Sequence, residues 1–258
     1  MTDNKINKDQ VRDFWNSRAN LGVAAGTQDV TLKNLEVEAI SAFVHDGMRI
    51  LDIGCGNGIT ATHLAEQYNV DVIGIDFAEE MVEAARTLSA DRSLKGSVKF
   101  QQGDVQALSG LSDKFDIVYT ERTLINLPDW ESQQQAISRI SSFLADEARY
   151  LMCEHSQDGL DRINSLRKQI GLAEIVPPWH NRYFREAELA QAKIQGVRLV
   201  DVIDFSSTYY FLSRVVNAWL AAQEGKEPDY GAPINKLSLE LPPIGNLGQG
   251  KIWVWSNT

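Results

Sequence analysis

From residue 49 onward, short apolar runs of strand length alternate with stretches whose apolar residues recur every three or four positions. The runs are Arg49–Ile53, Val70–Ile75, Val98–Gln101, Phe115–Tyr119 and Arg149–Cys153. Between them, Ile59–Tyr68, the stripe of Met81, Ala84, Ala85 and Leu88, and the stripe of Ala136, Ile137, Ile140, Phe143 and Leu144 predict helices. Residues at that spacing share one helix face. Strands alternating with helices predict an α/β fold: a parallel sheet with helices on both faces and right-handed crossovers. Ligands of such sheets bind at the carboxyl ends of the strands, where the strand order reverses.

The flanks are less regular. Residues 7–19 place Val11, Phe14, Trp15 and Arg18 at helical spacing, and residues 32–46 do the same with Leu32, Leu35, Val37, Ile40 and Phe43. In the second half, Leu160, Ile163, Leu166 and Ile170 predict a helix that Pro177-Pro178 breaks. Leu199–Phe205 reads as a strand, Phe211–Gln223 as an amphipathic helix and Lys251–Trp255 as a closing strand. The segments 155–197 and 206–248 are too long for simple connections, so they are expected to be insertions forming a helical cap. The expected organisation is one domain: a helical lid at 1–47, a core at 48–155, the two insertions, and final strands at 198–205 and 250–256.

With 43% hydrophobic residues and no internal repeat, 258 residues bury a sizeable core. The net charge of −10 disfavours a nucleic-acid partner. The two cysteines, Cys55 and Cys153, do not suggest a disulfide framework, which points to a reducing compartment. Met1–Lys5 is polar, unlike a signal peptide, and no stretch reaches the roughly 18 apolar residues of a membrane span. The expectation is a cytoplasmic protein with no membrane partner and no metal cluster, its oligomeric state open.

The run Leu51-Asp52-Ile53-Gly54-Cys55-Gly56-Asn57-Gly58 lies between a strand and a helix. Its glycines permit a tight turn and close approach of a ligand to the backbone. A dinucleotide-binding turn wants a further glycine where Ile59 stands, so the turn suits a ligand without a pyrophosphate. Asp76 ends the next strand, twenty-four residues after Asp52, and a carboxylate there has acceptor oxygens for both hydroxyls of a ribose. Gly103-Asp104-Val105 follows the third strand. Strand-end aspartates also serve as plain helix caps, so each carries weight mainly in company with the others.

Together these residues resemble the class I S-adenosylmethionine-dependent methyltransferases, convincingly over roughly residues 48–155. The resemblance implies a Rossmann-like seven-stranded sheet whose last strand is antiparallel, which suits the closing strand. It implies that Gly54 and Gly56 pack against the methionine part of S-adenosylmethionine, and that Asp52 holds the turn and helps neutralise the cofactor's ammonium. Asp76 then takes the ribose and Asp104 the adenine amino group, with Phe77, Met81 and Val105 beside the adenosine. Glu121, at the end of the fourth strand, is expected at the methionine part. The Asn/Asp-Pro-Pro-aromatic motif of nucleic-acid amino-methyltransferases is absent there, so the sequence resembles the small-molecule branch. In that branch the Phe14–Arg18 helix is a lid, with Trp15 sealing the pocket and Arg18 pairing with the cofactor's carboxylate; a plain amphipathic helix fits the same residues.

The acceptor pocket is expected from strand ends and cap. Its candidates are Arg122, Glu154, Trp179, Arg182, Tyr183, Tyr209, Tyr210 and Arg214, with His155 or His180 as general base if the acceptor must lose a proton. The arginines favour an acceptor with an anionic group, although Glu154 with aromatics equally suits a cation, and the Ser206–Val215 run resembles bacterial enzymes of carbohydrate or natural-product pathways. A solvated arginine, a core tyrosine and a structural histidine remain the plainer readings. The expected activity is methyl transfer to oxygen or nitrogen of a small molecule; the alternative is a non-catalytic S-adenosylmethionine-binding protein. A nicotinamide-dependent dehydrogenase shares the sheet but is opposed by Ile59.

Overall fold

The computed structural model describes residues 7–108, 111 and 113–257. The polar start read at Met1–Lys5 lies outside the described residues.

The chain opens with α1 (Lys8–Arg18), capped by the Asn7 side chain, and a kinked 3-10 stretch at Ala19–Ala25. Helix α2 (Val30–Ser41) starts and ends earlier than the 32–46 expectation, because the Asp29 carboxylate caps it by accepting from the Leu32 amide. Strand β1 (Arg49–Ile53), α3 (Ile59–Gln67), β2 (Asp71–Asp76), α4 (Glu79–Ala90), β3 (Ser97–Gln102), β4 (Phe115–Glu121) and α5 (Trp130–Ser141) follow the expected alternation.

Strand β5 (Leu144–His155) is longer than the apolar run at 149–153. Its first half is polar and irregular, with Glu147 at φ 61° and a register shift against β4 between Phe115 and Ile117. An irregular, polar half carries no alternation to read. Next come α6 (Gln157–Gln169), α7 (Glu186–Gln191) and β6 (Val197–Ile203). Strand β6 ends two residues before the expected Phe205, because the Asp204 carboxylate turns away to accept from the Gly248 amide. A continuous helical run then comprises α8 (Ser207–Tyr210), a π-helical stretch at Phe211–Asn217 and α9 (Ala218–Gln223). Helix α10 (Pro233–Leu237) and strand β7 (Gly250–Asn257) complete the chain.

The seven strands form one sheet in the order β3-β2-β1-β4-β5-β7-β6. Strands β1 to β5 pair in parallel, and β7 is antiparallel to both β5 and β6. The order reverses between β1 and β4, so the carboxyl ends of β1, β2, β4 and β5 surround the switch point.

Each strand divides its side chains between two cores. Leu51, Ile53, Trp253 and Trp255 join Ile137, Ile140 and Phe184 on one face. Ile50, Ile252 and Val254 join Ile40, Leu64, Ala85 and Phe100 on the other. Side chains alternate faces along a strand, so near-continuous apolar strands are what two covered faces require. Each fully buried aliphatic side chain contributes on the order of 1.5–3 kcal/mol, so these layers hold the strand ends rigidly. No helix among the described residues is long and apolar enough to cross a membrane.

Candidate active site

The turn after β1 is shaped by two glycines with different reasons. Gly54 has φ 76°, and a Cβ there would fall 2.1 Å from Thr123 Oγ1. Gly56 has φ 53°, and a Cβ there would meet nothing within 4 Å. The first glycine lets β1 and β4 close on each other; the second leaves its backbone open to a cavity of about 700 Å³. That cavity runs from the glycine turn, beneath α1 and the 3-10 stretch, to residues of the two long insertions.

At the glycine end, Asp52 is buried and pairs with Tyr119 across β1 and β4, its Oδ2 accepting from the hydroxyl at 2.7 Å. Its Oδ1 is buried without a partner among the described residues. Burial pushes the Asp52 carboxyl up to about 8, so a cation beside it would be needed to keep it ionised at neutral pH. Asp76 accepts from the Gly56 amide (2.8 Å) and the Ala78 amide (2.9 Å), one on each oxygen. Each oxygen keeps a second lone pair for a ligand hydroxyl. Burial raises Asp76 to about 6 against those amides. Phe77, Met81, Val105 and Asp104 line the same end; Asp104 caps the 3-10 turn at Val105–Ala107 and pairs with Lys8 of α1.

Glu121, at the end of β4, is held by Lys33 of α2 and by the Thr60 hydroxyl (2.6 Å). Burial alone would raise its carboxyl, but the charges of Lys33 and Arg122 outweigh that and hold it low. Arg122 takes a left-handed backbone, φ 53°. Its guanidinium meets buried Glu36 at 3.2 Å and donates to the Gly26 carbonyl at 2.9 Å. A non-glycine residue in that conformation is strained and must be held by its surroundings, and these contacts tie it to α2 and to the segment following α1.

Arg18 donates to the carbonyls of Ala24 and Ala25 and lies over Phe14. Its side chain meets no carboxylate among the described residues. Trp15 donates to Asn126 at 3.2 Å, fastening α1 over the loop after β4. Phe14, Trp15, Trp179 and His180 pack ring against ring, joining α1 to the turn after Pro178.

At the far end stand His155, Tyr183, Tyr210, Arg214, Tyr230 and Gln249. His155 Nδ1 lies 3.1 Å from the Gln249 amide nitrogen, and its Nε2 is buried without a partner among the described residues. Arg214 pairs with Asp29 at 2.6 Å and lies over the rings of Tyr210 (5.1 Å) and Tyr230 (4.7 Å). Burial, with Arg18 adding to it, lowers His180 to about 4.

Three sequence candidates are placed elsewhere. Arg182 does not line the cavity; its guanidinium is held by Gln133 (2.7 Å) and Glu188 (2.5 Å) beside α7. Tyr209 is buried behind the wall, donating to Asp29 at 2.5 Å. Glu154 is wholly buried and accepts from the amides of Thr123, Leu124 and Ile125, so it fixes the loop after β4 and does not face a ligand. Lys33, Glu36 and Gln249 were not singled out in the sequence. Lys33 and Glu36 sit three apart on one face of α2, a usable signal; Gln249, in a glycine-rich stretch, offered none.

The sequence matches the methyltransferase domain family over residues 44–193, more than half of the chain. The chain belongs to this family, that of the class I S-adenosylmethionine-dependent methyltransferases. It is 32% identical over 107 residues to the uncharacterized methyltransferase YcgJ of Bacillus subtilis, covering 42% of this chain and 40% of that protein. It is 29% identical over 163 residues to the probable chloroplastic tocopherol O-methyltransferase of Oryza sativa, covering 59% of this chain and 43% of the relative. The chain thus spans less than half of these two curated relatives. Among solved structures, a TehB-like SAM-dependent methyltransferase of Corynebacterium glutamicum superposes with a TM-score of 0.58 at 16% identity, over 97% of this chain and 100% of that one. That likeness establishes the fold. S-adenosylmethionine is the family's cofactor, and the site suits it: Asp52 keeps a buried carboxylate oxygen with no partner among the described residues, and the Gly56 backbone faces open space.

Proposed function

We propose that this protein transfers the methyl group of S-adenosylmethionine to an oxygen or nitrogen atom of a small-molecule acceptor. The observation that carries this reading is the single cavity joining the glycine turn to the His155 end. A cofactor on the turn and an acceptor beside His155 would share one continuous space.

In this reading Asp52 faces the ammonium of the cofactor, Asp76 the ribose hydroxyls and Asp104 the adenine edge, with Gly54, Gly56, Phe77, Met81 and Val105 forming the walls. Glu121 acts at the methionine end through Lys33 and Thr60. Arg18, matched only by carbonyls, is the candidate for the cofactor's carboxylate, and Trp15 closes the lid. Arg122, Trp179, Tyr183, Tyr210 and Arg214 surround the acceptor, with His155 at its reacting end. The cap insertions and lid enclose both. Arg122 and Arg214 are already opposed by Glu36 and Asp29, which weakens their pull on an anionic acceptor. The rice relative's name supports oxygen as the atom methylated.

The bound cofactor supplies an electrophilic methyl group on a sulfonium that leaves readily. The protein's part is to orient the acceptor and exclude water. Orientation of this kind lowers a barrier by ~7–11 kcal/mol. His180, packed among Phe14, Trp15 and Trp179 and held well below neutrality, closes the cavity and is poorly suited to take a proton.

The test is incubation with methyl-labelled S-adenosylmethionine and a deproteinised extract of the source cells, with label followed by mass spectrometry. A new labelled small molecule is expected, its fragments giving the atom. Retention of S-adenosylhomocysteine with no labelled product from any extract would favour a binding protein.

A further inference from the structure

His155 and Gln249 sit next to each other because β5 ends where β7 begins. His155 pairs in register with Gly250, and the Gln249 carbonyl accepts from the Ser156 amide at 2.7 Å. The Gln249 side chain is thereby buried against the imidazole, its amide nitrogen 3.1 Å from Nδ1. Burial raises the Tyr183 phenol, with the neighbouring Asn181 and Gln249 side chains opposing it. The amide therefore presents its N–H side to Nδ1.

An amide N–H only donates, so Nδ1 must offer a lone pair. A neutral imidazole with its lone pair on Nδ1 carries its proton on Nε2. His155 lines the cavity, and its Nε2 is buried with no partner among the described residues.

We propose that Gln249 is a positioning residue that fixes His155 as a hydrogen-bond donor to the acceptor, so that the acceptor atom facing Nε2 is a lone-pair-bearing oxygen such as a carbonyl, ether or ionised hydroxyl. This rests on the reading that the acceptor occupies the His155 end. It replaces the general-base expectation for His155, since a protonated Nε2 has no lone pair to accept with. The charged surroundings agree. Burial first, then Arg122 after β4 and Arg214 from the cap, depress the imidazole to about 3, with Glu121 opposing; Tyr183 packs edge-on at 5.1 Å.

The test is nitrogen NMR on the full chain labelled in its four histidines and saturated with S-adenosylhomocysteine. The His155 signals are assigned by their loss in His155→Gln. The expected result is a proton on Nε2 that persists from about pH 5 to about pH 8. Gln249→Glu is expected to move the proton to Nδ1, where a carboxylate receives it, and to bring titration into that range. Gln249→Leu is expected to give a mixture of tautomers. A wild-type proton on Nδ1, wild-type titration in that range, or an unchanged Nε2–H tautomer in Gln249→Leu would each overturn the proposal. The methyl-label experiment reads the enzymatic assignment separately: label transfer with the other tautomer sinks only this inference, and the expected tautomer without transfer sinks only that assignment.

Discussion

The two ends of the cavity are built by different means. At the glycine end, the walls come from the ends of consecutive parallel strands, residues 52 to 104, and the lining is glycine backbone and short carboxylates. At the His155 end, the walls come from residues as far apart as Leu32 and Gln249, and charged side chains are met by other side chains before any ligand arrives. In the proposed function the first end is a template that a cofactor completes. The second is a pre-paired polar shell in which His155 Nε2 is buried with no partner among the described residues.

Arg214→Met breaks that contrast most severely. It leaves Asp29 buried without its cation, and removing one partner of a buried ion pair costs ~3–5 kcal/mol. Denaturant titration should show this loss while S-adenosylhomocysteine affinity in the folded fraction changes little. If affinity fell with it, the two ends would not be independent.

Asp76→Ala strikes the other end. It removes the acceptors for the ribose and for the Gly56 amide, and loss of bonds to a charged group is worth ~1.5–3 kcal/mol. Titration calorimetry should show roughly 10- to 100-fold weaker S-adenosylhomocysteine binding.

Asp52 sharpens the comparison through pH. Its carboxyl is raised to about 8 in the free protein. A ligand ammonium favours the ionised form, so binding below that pH must release a proton. Affinity should therefore rise with pH, by at most about tenfold per unit, and level off above about 8. Calorimetry in buffers of different ionisation enthalpy reads the proton directly, and Asp52→Asn should flatten the dependence. For the free protein the sign reverses. A carboxyl raised on folding contributes stability that is lost as pH rises through its folded value, so the Asp52 contribution, read as wild type minus Asp52→Asn, should decline from about pH 4 to about pH 8.

The smallest effect is expected at Arg182, which serves α7 and not the cavity. Arg182→Leu should lower stability by about 1 kcal/mol, the worth of a few partly exposed polar contacts. It should leave the KM for both substrates within a few-fold.

This contrast also explains what was legible in the sequence. That Asp52, Gly54, Gly56, Asp76 and Asp104 share one cavity was legible because their positions follow from local structure: a glycine between strand and helix, an acid where a strand stops. The apolar alternation of β1, β2 and β4 was equally readable, being set by two covered faces. At the other end, residue type was visible but pairing was not. Arg182 and Tyr209 look like Arg214 and Tyr210 in sequence, and only tertiary packing turns one pair towards α7 and Asp29 and the other towards the cavity. Glu154 was misread because its three partners are backbone amides on a loop thirty residues away. Gln249 was unreadable because its meaning depends on a register contact across 94 residues.

The reversed direction of β7 has a consequence for how this architecture can change. In a parallel strand the ligand edge receives the strand's last residues. Because β7 runs the other way, that edge receives the residue just before its start, at the close of the second long insertion. A group that acts on His155 thus arrives on a segment remote in the chain from the glycine turn. Altering that segment can change what the far end of the cavity accepts while the machinery shared by the family stays untouched, so the antiparallel strand works as an exchangeable fitting on a fixed mount.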